Sequence, residues 1–205
     1  MRPEEIEHAS MKIIEQELAA LGRELDADVM PVVKRVIHTT ADFDFADALA
    51  FSPGAAEAGR RALERGVTVV ADTQMAAAGI NKKHVAKNGG AVLCFMSDED
   101  VALEADERGL TRAAVSMERA AERAPGAIFA IGNAPTALLR LCELAAEGKV
   151  EPALVIGVPV GFVNVVESKE ILEKMDFPWI VSRGRKGGST VAAAIVNALL
   201  YSLKK

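Results

Sequence analysis

The sequence predicts an α/β protein: an open, mostly parallel β-sheet with helices on both faces, in a single domain over residues 1–205. Short runs rich in β-branched residues alternate with longer helical patterns, and parallel strands need such helical crossovers. Half of the 205 residues are hydrophobic, which is enough for one substantial core, and no linker or repeat divides the chain. In such sheets ligands bind at the C-terminal ends of the strands.

The first elements are helical. Residues 4–21 place apolar side chains at helical spacing and stop at Gly22, which predicts an amphipathic helix. A short helix is expected over 31–38, then a loop over 42–54 and a helix over 55–66. The strands are expected at residues 67–71, 91–95, 127–131, 153–158 and 179–182.

Composition excludes several classes of protein. A formal net charge of −5 and an aromatic content of 4% argue against a nucleic-acid surface. The N-terminal segment lacks an apolar signal core and the longest apolar helix is too short and polar for a bilayer, so we expect no membrane association and a cytoplasmic location. Cys94 and Cys142 lie in apolar surroundings and are interpreted as small buried hydrophobic residues.

Two of the predicted strands end in unusual turns. In IGNAPT, Gly132 and Asn133 precede a helix start that offers unpaired N–H groups to a ligand, although an ordinary capped helix is the simpler interpretation. In GVPVG, residues 157–161, the glycines and the proline predict an irregular strand exit. A rigid wall against a large flat ligand and a tightly packed turn both explain that exit.

A third turn, SRGRKGGST at residues 182–190, carries three cations in an acidic protein. Arg183, Arg185 and Lys186 precede a helix start, and arginine grips carboxylate or phosphate in a bidentate manner. Anion binding is therefore favoured over a solvated basic loop. Lys186 precedes two glycines rather than Ser or Thr, so the turn is not a Walker A loop, and no GxGxxG follows the first strand. Nucleotide binding remains a minor alternative.

Few side chains are placed for proton transfer. His38 ends a predicted helix before a polar loop, and histidine exchanges protons near neutral pH, although a lone histidine is more often structural. His8 and His84 lie in charged helical surroundings and are expected on the surface. The acidic segment 42–47 does not have the spacing of a metal loop, and Asp72 after a strand can cap a helix or orient a ligand.

Five segments together resemble a known family: RVIH, VVADTQMAAAGI, AIGNAPTALLRL, GVPVGFVNVVESKE and VSRGRKGGS. In this order they are similar to the precorrin-8X (cobalt-precorrin-8) methylmutases of cobalamin biosynthesis. The resemblance implies an isomerase that moves a methyl group from carbon 11 to carbon 12 of precorrin-8X or cobalt-precorrin-8, giving hydrogenobyrinate or cobyrinate without a cofactor. It also implies a homodimer with substrate at or near the subunit interface.

The same resemblance assigns roles to residues. It makes His38 the general acid that donates a proton to the macrocycle, and it makes the acetate and propionate side chains the anions that the turns bind. The implied substrate contacts are Ser10, Arg112, Asn133, Gly161, Arg183, Gly184, Arg185 and Gly187. No protein metal site is implied, since any cobalt arrives inside the macrocycle. A non-catalytic tetrapyrrole-binding or handover protein with the same basic turns is the alternative.

Overall fold

A computed structural model describes residues 2–203 of the chain. Its strands are β1 (Leu49–Phe51), β2 (Val69–Ala71), β3 (Val92–Leu93), β4 (Ile128–Ile131), β5 (Leu154–Gly157) and β6 (Trp179–Ser182). Over the described range they form one six-stranded sheet in the order β1-β6-β5-β4-β2-β3. All neighbours are parallel except β1, which runs antiparallel to β6 at the edge. The predicted fold class is confirmed.

The helices follow the predicted alternation with strands. They are α1 (Pro3–Ala20), α2 (Met30–Thr40), α3 (Phe45–Ala48), α4 (Ala55–Glu64), α5 (Gln74–Gly79), α6 (Lys82–Lys87), α7 (Glu99–Arg108), α8 (Arg112–Arg123), α9 (Pro135–Ala146), α10 (Val165–Leu172) and α11 (Ser189–Tyr201). Throughout residues 2–203, every helix falls short of the length and apolarity that a membrane crossing requires.

The sheet separates two hydrophobic layers. Ile128 and Ala130 of β4 pack with α1, α2, α4 and α11, whereas Phe129 and Ile131 of the same strand pack with α7, α8, α9 and α10. Successive side chains of a strand point to opposite faces, so a strand covered on both faces must be apolar at every position. This explains why the central strands are continuous apolar runs, and it places helices on both faces as expected.

One predicted region was wrong. The expected loop over 42–54 contains α3 and strand β1, whose Leu49 pairs with Ser182 of β6. A strand of three residues beside Pro53 and Gly54 has too little local pattern to be found by alternation, and its partner lies far along the chain. Strand β3 is shorter than predicted.

The two cysteines differ in burial. Cys142 on α9 is buried, as expected, but Cys94 is only partly buried because the chain leaves the sheet after Leu93. Both thiols are free.

Candidate active site

Four strand ends meet at one edge of the sheet. Strands β2, β4, β5 and β6 are consecutive parallel neighbours, so their C-terminal ends lie side by side. The turns that follow them are residues 72–73, 132–134, 158–164 and 183–188. The three turns singled out in the sequence are therefore together at this edge.

Glycine at position 132 allows the first of these turns to contact the last. A Cβ atom on Gly132 would lie 2.6 Å from the Cα atom of Ser189, so any side chain there would separate the two turns. The Ser189 hydroxyl also lies 2.8 Å from that of Thr73, which follows β2. Three strand ends are thus joined at the start of α11.

The turns after β5 and β6 are joined in the same way. A Cβ atom on Gly187 would lie 2.1 Å from the Val158 carbonyl oxygen, which also accepts a bond of 2.9 Å from the N–H of Gly188. The N–H of Gly161 donates to the Arg185 carbonyl at 3.3 Å. The irregular exit after β5 is therefore a wall built directly against the basic turn.

The buried side chain of Asp72 holds the turn after β4 by hydrogen bonds to its backbone. Its carboxylate is 1% exposed and accepts the N–H groups of Gly132, Asn133 and Ala134 at 3.0, 2.7 and 2.8 Å. Burial raises the pKa of the Asp72 carboxyl, and the three N–H bonds oppose that rise. The backbone donors expected to meet a ligand at Asn133 are therefore engaged with Asp72, and only the side chain of Asn133 is exposed.

His38 lies in the last turn of α2 and is exposed. It shares a surface pocket of about 320 Å³ with Ser10 of α1, among the apolar side chains of Ile13, Ile14 and Phe43. The Ser10 hydroxyl donates to the Ile6 carbonyl at 2.9 Å. The structure thus brings two of the predicted site residues into one pocket.

The segment that follows His38 is attached to the basic turn. The Lys186 ammonium lies 2.6 Å from a carboxylate oxygen of Asp42 and 2.6 Å from one of Asp44. These hydrogen bonds raise the pKa of Lys186, and the bond to Lys186 lowers the pKa of Asp42. The acidic segment, to which the sequence assigned no role, therefore neutralises one cation of the turn and positions the His38 pocket beside it.

The two arginines of the turn differ in their partners. Arg183 forms a bidentate ion pair with Glu173, with both nitrogen–oxygen distances at 3.0 Å, and this raises the pKa of the guanidinium. The Arg185 guanidinium lies 5.4 Å from the ring centroid of Phe162, which is 82% exposed. Among residues 2–203, no carboxylate pairs with Arg185. Arg185 is therefore the cation of the turn most available to an anion.

Lys169 on α10 is a residue that sequence reasoning missed. It is 1% exposed, and its ammonium donates to the carbonyls of Gly184 and Lys186 at 2.8 and 2.9 Å and to the Ser182 hydroxyl at 3.3 Å. The Ser182 hydroxyl donates to the Lys186 carbonyl at 2.7 Å. Burial lowers the pKa of Lys169 to about 8. A lysine among polar helix residues looks like a surface residue, so only the fold reveals its position.

Arg112 reaches the same region from the other side of the sheet. It is the first residue of α8, and the preceding Thr111 contacts Thr136 at the start of α9 at 3.1 Å. Because α8 packs on the face opposite α2, Arg112 and His38 approach this edge from opposite faces. Arg112 is exposed, and the Thr111–Thr136 contact places the start of α8 beside the start of α9, which follows the turn at Asn133.

The fold and the site define an α/β protein whose sheet edge carries a cationic turn that is unlike a nucleotide phosphate loop. The sequence profile of the Precorrin-8X methylmutase (CbiC) family matches residues 5–202. The cobalt-precorrin-8 methylmutase of Priestia megaterium is 47% identical over 199 residues, covering 97% of this chain and 88% of that relative. The precorrin-8X methylmutase of Pseudomonas aeruginosa is 44% identical over 177 residues, covering 85% of each chain.

A solved structure agrees with these relatives. The crystal structure of a precorrin-8X methylmutase from Thermus thermophilus superposes with a TM-score of 0.88 at 40% identity, covering 96% of each chain. The chain belongs to the precorrin-8X methylmutase family. It is an intramolecular transferase, an isomerase of cobalamin biosynthesis.

Proposed function

We propose that this protein moves a methyl group from carbon 11 to carbon 12 of precorrin-8X or cobalt-precorrin-8, with His38 as the general acid. The observation that carries this proposal is the link between two parts of the site. His38 and Ser10 line one pocket, and the segment after His38 is held on the basic turn by Lys186. A proton donor and an anion-binding turn therefore lie next to each other.

The chemistry needs few protein groups. In a 1,5-sigmatropic shift the bond from the methyl carbon to carbon 11 breaks as the bond to carbon 12 forms, so no nucleophile or methyl donor takes part. The protein has to hold the macrocycle in the reactive tautomer and protonation state. Protonated His38 donates to the macrocycle and polarises its conjugated system, and because the product is an isomer the proton is returned.

The acetate and propionate groups of the substrate bind at the basic turn. Arg185 supplies a cation that has no carboxylate partner among residues 2–203, Gly184 has open space beside its backbone for the ligand, and Gly187 lets the turn pack against Val158. Each charge-assisted hydrogen bond contributes roughly 1.5–3 kcal/mol, which offsets the unfavourable net charge of the protein. Arg183 contributes by sharing its guanidinium between Glu173 and substrate, while Gly161 forms part of the wall.

A homodimer completes the site in this proposal. Arg112 and Asn133 lie toward one face of the sheet and His38 toward the other, so a flat macrocycle between two copies can meet both groups. Phe162 and Val163, which are 82% and 77% exposed, supply apolar surface at this edge for such a contact. We place the reaction in the cytoplasm.

The relatives carry names for both forms of the substrate, metal-free and cobalt-containing. Within residues 2–203, no group of three or more His, Cys, Asp or Glu side chains is arranged to hold a metal ion. The name cobalt-precorrin-8 of the relatives' substrate includes the metal, so we treat cobalt as part of the substrate. Which form reacts faster is a question for the experiment.

The test is anaerobic incubation of the purified protein with precorrin-8X and, separately, with cobalt-precorrin-8. Absorption spectra follow turnover and NMR locates the methyl group. We expect conversion by wild type and loss of at least about 100-fold in kcat for His38→Ala, in keeping with general acid catalysis. His84→Ala is the matched control, because His84 is also exposed but packs against Tyr201 at 5.6 Å on α11.

Each outcome separates the possibilities. Full activity of His38→Ala would remove His38 from the mechanism while leaving the methylmutase activity in place. If wild type binds both substrates without any methyl shift, the proposed reaction is wrong and the alternative, a tetrapyrrole handover protein, takes its place. If His84→Ala loses as much kcat as His38→Ala, the loss is not specific to the His38 pocket.

A further inference from the structure

The buried Lys169 ammonium lies directly beneath the basic turn. It donates to the carbonyls of Gly184 and Lys186 at 2.8 and 2.9 Å, so both carbonyl oxygens point inward. The Ser182 hydroxyl also donates to the Lys186 carbonyl, at 2.7 Å. Lys169 therefore fixes the orientation of two peptide groups in the turn.

Because the carbonyl groups point inward, two N–H groups of the turn point outward, away from Lys169. In a trans peptide the C=O of one residue and the N–H of the next point in opposite directions. The N–H groups of Arg185 and Gly187 therefore point away from Lys169. Among residues 2–203 neither N–H donates to a protein acceptor, and Arg185 is exposed. Two backbone donors and the Arg185 side chain are thus available together.

The charges around the turn also favour an anion on its outer side, away from Lys169. Lys186 is neutralised by Asp42 and Asp44, and Arg183 by Glu173. Within the described residues no carboxylate forms an ion pair with Lys169, whose pKa burial lowers to about 8. A buried charge without a counter-ion is costly, and an anion on the outer side of the turn would stabilise it through two polarised peptide groups.

We propose that Lys169 is a positioning residue for a substrate carboxylate: from inside the fold it turns the N–H groups of Arg185 and Gly187 toward an acetate or propionate group of the macrocycle. This proposal rests on the proposed function. Lys169 does not touch the substrate. Its role goes beyond holding the turn together, because the orientation and the charge that it supplies act more strongly on a carboxylate than on a neutral group.

The experiment measures binding of the product hydrogenobyrinate by absorption titration. It compares this ligand with a derivative whose acetate and propionate carboxylates are converted to neutral amides. The variants are Lys169→Met, which keeps the length of the side chain without the charge, and Lys169→Arg, which keeps the charge. Lys174→Met is the matched control, because Lys174 is an exposed lysine just after α10.

For Lys169→Met we expect Kd for hydrogenobyrinate to rise about 10- to 100-fold, with Kd for the amide derivative changed less than about threefold. Lys169→Arg should recover at least about a third of the lost affinity, and Lys174→Met should bind both ligands like wild type. With substrate, the loss in Lys169→Met should appear in KM, with kcat within about threefold of wild type.

Two results would overturn the role of Lys169. One is unchanged affinity of Lys169→Met for hydrogenobyrinate, and the other is an equal loss for both ligands, which would mark a structural role alone. If Lys169→Met does not fold by circular dichroism, Ser182→Ala replaces it, with an expected rise of about threefold for the charged ligand only. Wild type that binds neither ligand would contradict the proposed function itself, and this proposal with it.

Discussion

Two glycine-containing turns at the same edge of the sheet, residues 132–134 and 183–188, rest on buried side chains of opposite charge. Beneath the first, the Asp72 carboxylate accepts three backbone N–H groups. Beneath the second, the Lys169 ammonium donates to two backbone carbonyls. The first turn uses its donors internally, whereas in the second the N–H groups of Arg185 and Gly187 point away from Lys169 and have no protein acceptor among residues 2–203. Similar strand–glycine–helix sequences therefore differ in which backbone groups are paired internally, with N–H groups bound to Asp72 in the first turn and carbonyl groups bound to Lys169 in the second.

The largest expected effect tests the packing of the second turn. Gly187→Ala would place a Cβ atom 2.1 Å from the Val158 carbonyl oxygen, so the backbone must move. We expect a loss of more than about 3 kcal/mol in the free energy of unfolding, measured by urea denaturation. At Gly184 a Cβ atom meets nothing within 4 Å, but φ is +72°. Gly184→Ala should cost only about 1–2 kcal/mol, and an equal cost at both positions would contradict this packing.

A second prediction addresses the buried anion. Asp72→Asn turns an acceptor-only carboxylate into an amide whose NH₂ group faces backbone donors, so part of the Gly132–Ala134 turn loses its partners. The expected cost is about 2–4 kcal/mol in the free energy of unfolding. Affinity for hydrogenobyrinate should change less than about threefold in the folded variant. A selective loss of affinity with unchanged stability would mean that the first turn also binds the anion.

The basic turn predicts unequal roles for its arginines. Arg185→Met should raise Kd for hydrogenobyrinate by about 10- to 100-fold, because Arg185 has no carboxylate partner among the described residues. Arg183→Met should raise it less than about fivefold, since Glu173 already holds that guanidinium. Titration of both variants at the same ionic strength measures the difference. The reverse order would show that substrate displaces Glu173.

The buried cation predicts a dependence of stability on pH. Burial lowers the pKa of Lys169 from its ordinary 10.5 to about 8 in the folded protein. Between these two values the unfolded chain binds the extra proton, so the contribution of Lys169 to the free energy of unfolding rises with pH. Below pH 8 both states are protonated and the penalty is constant. Relative to Lys169→Met, wild type should therefore gain on the order of 1–3 kcal/mol from pH 7.5 to 10.5.

Urea denaturation at the two pH values measures this gain, and the exposed Lys174→Met variant provides the comparison for ordinary lysines. A constant difference between wild type and Lys169→Met across this range would show that Lys169 keeps its proton in the folded state.

Much of the site could be found from local patterns. Strand β6 was predicted with its observed bounds, and the glycine turns after β4, β5 and β6 were placed at the edge where they lie. These features depend on neighbours within a few residues, because β-branched runs set strands and glycines mark turns. His38 at a helix end and the order of five sequence segments led to the family that the comparisons then showed.

The partners of the charged groups were not predictable in this way. Lys186 reaches Asp42 across 144 positions of sequence, and the buried position of Lys169 follows from how α10 packs on β6. The edge strand β1 forms by antiparallel pairing with β6, and that pairing joins residues far apart in the sequence.

The sequence by itself determined the order of helices and strands, the glycine turns and the family, because periodicity and turn chemistry are local. Only the tertiary structure decided which cations are neutralised, which turn keeps its N–H groups free and which lysine is buried. Those properties depend on distances between residues far apart in the chain and on which groups lose contact with water. Whether a charged group has a partner, and whether an N–H group lacks an acceptor, depends on the folded structure around it.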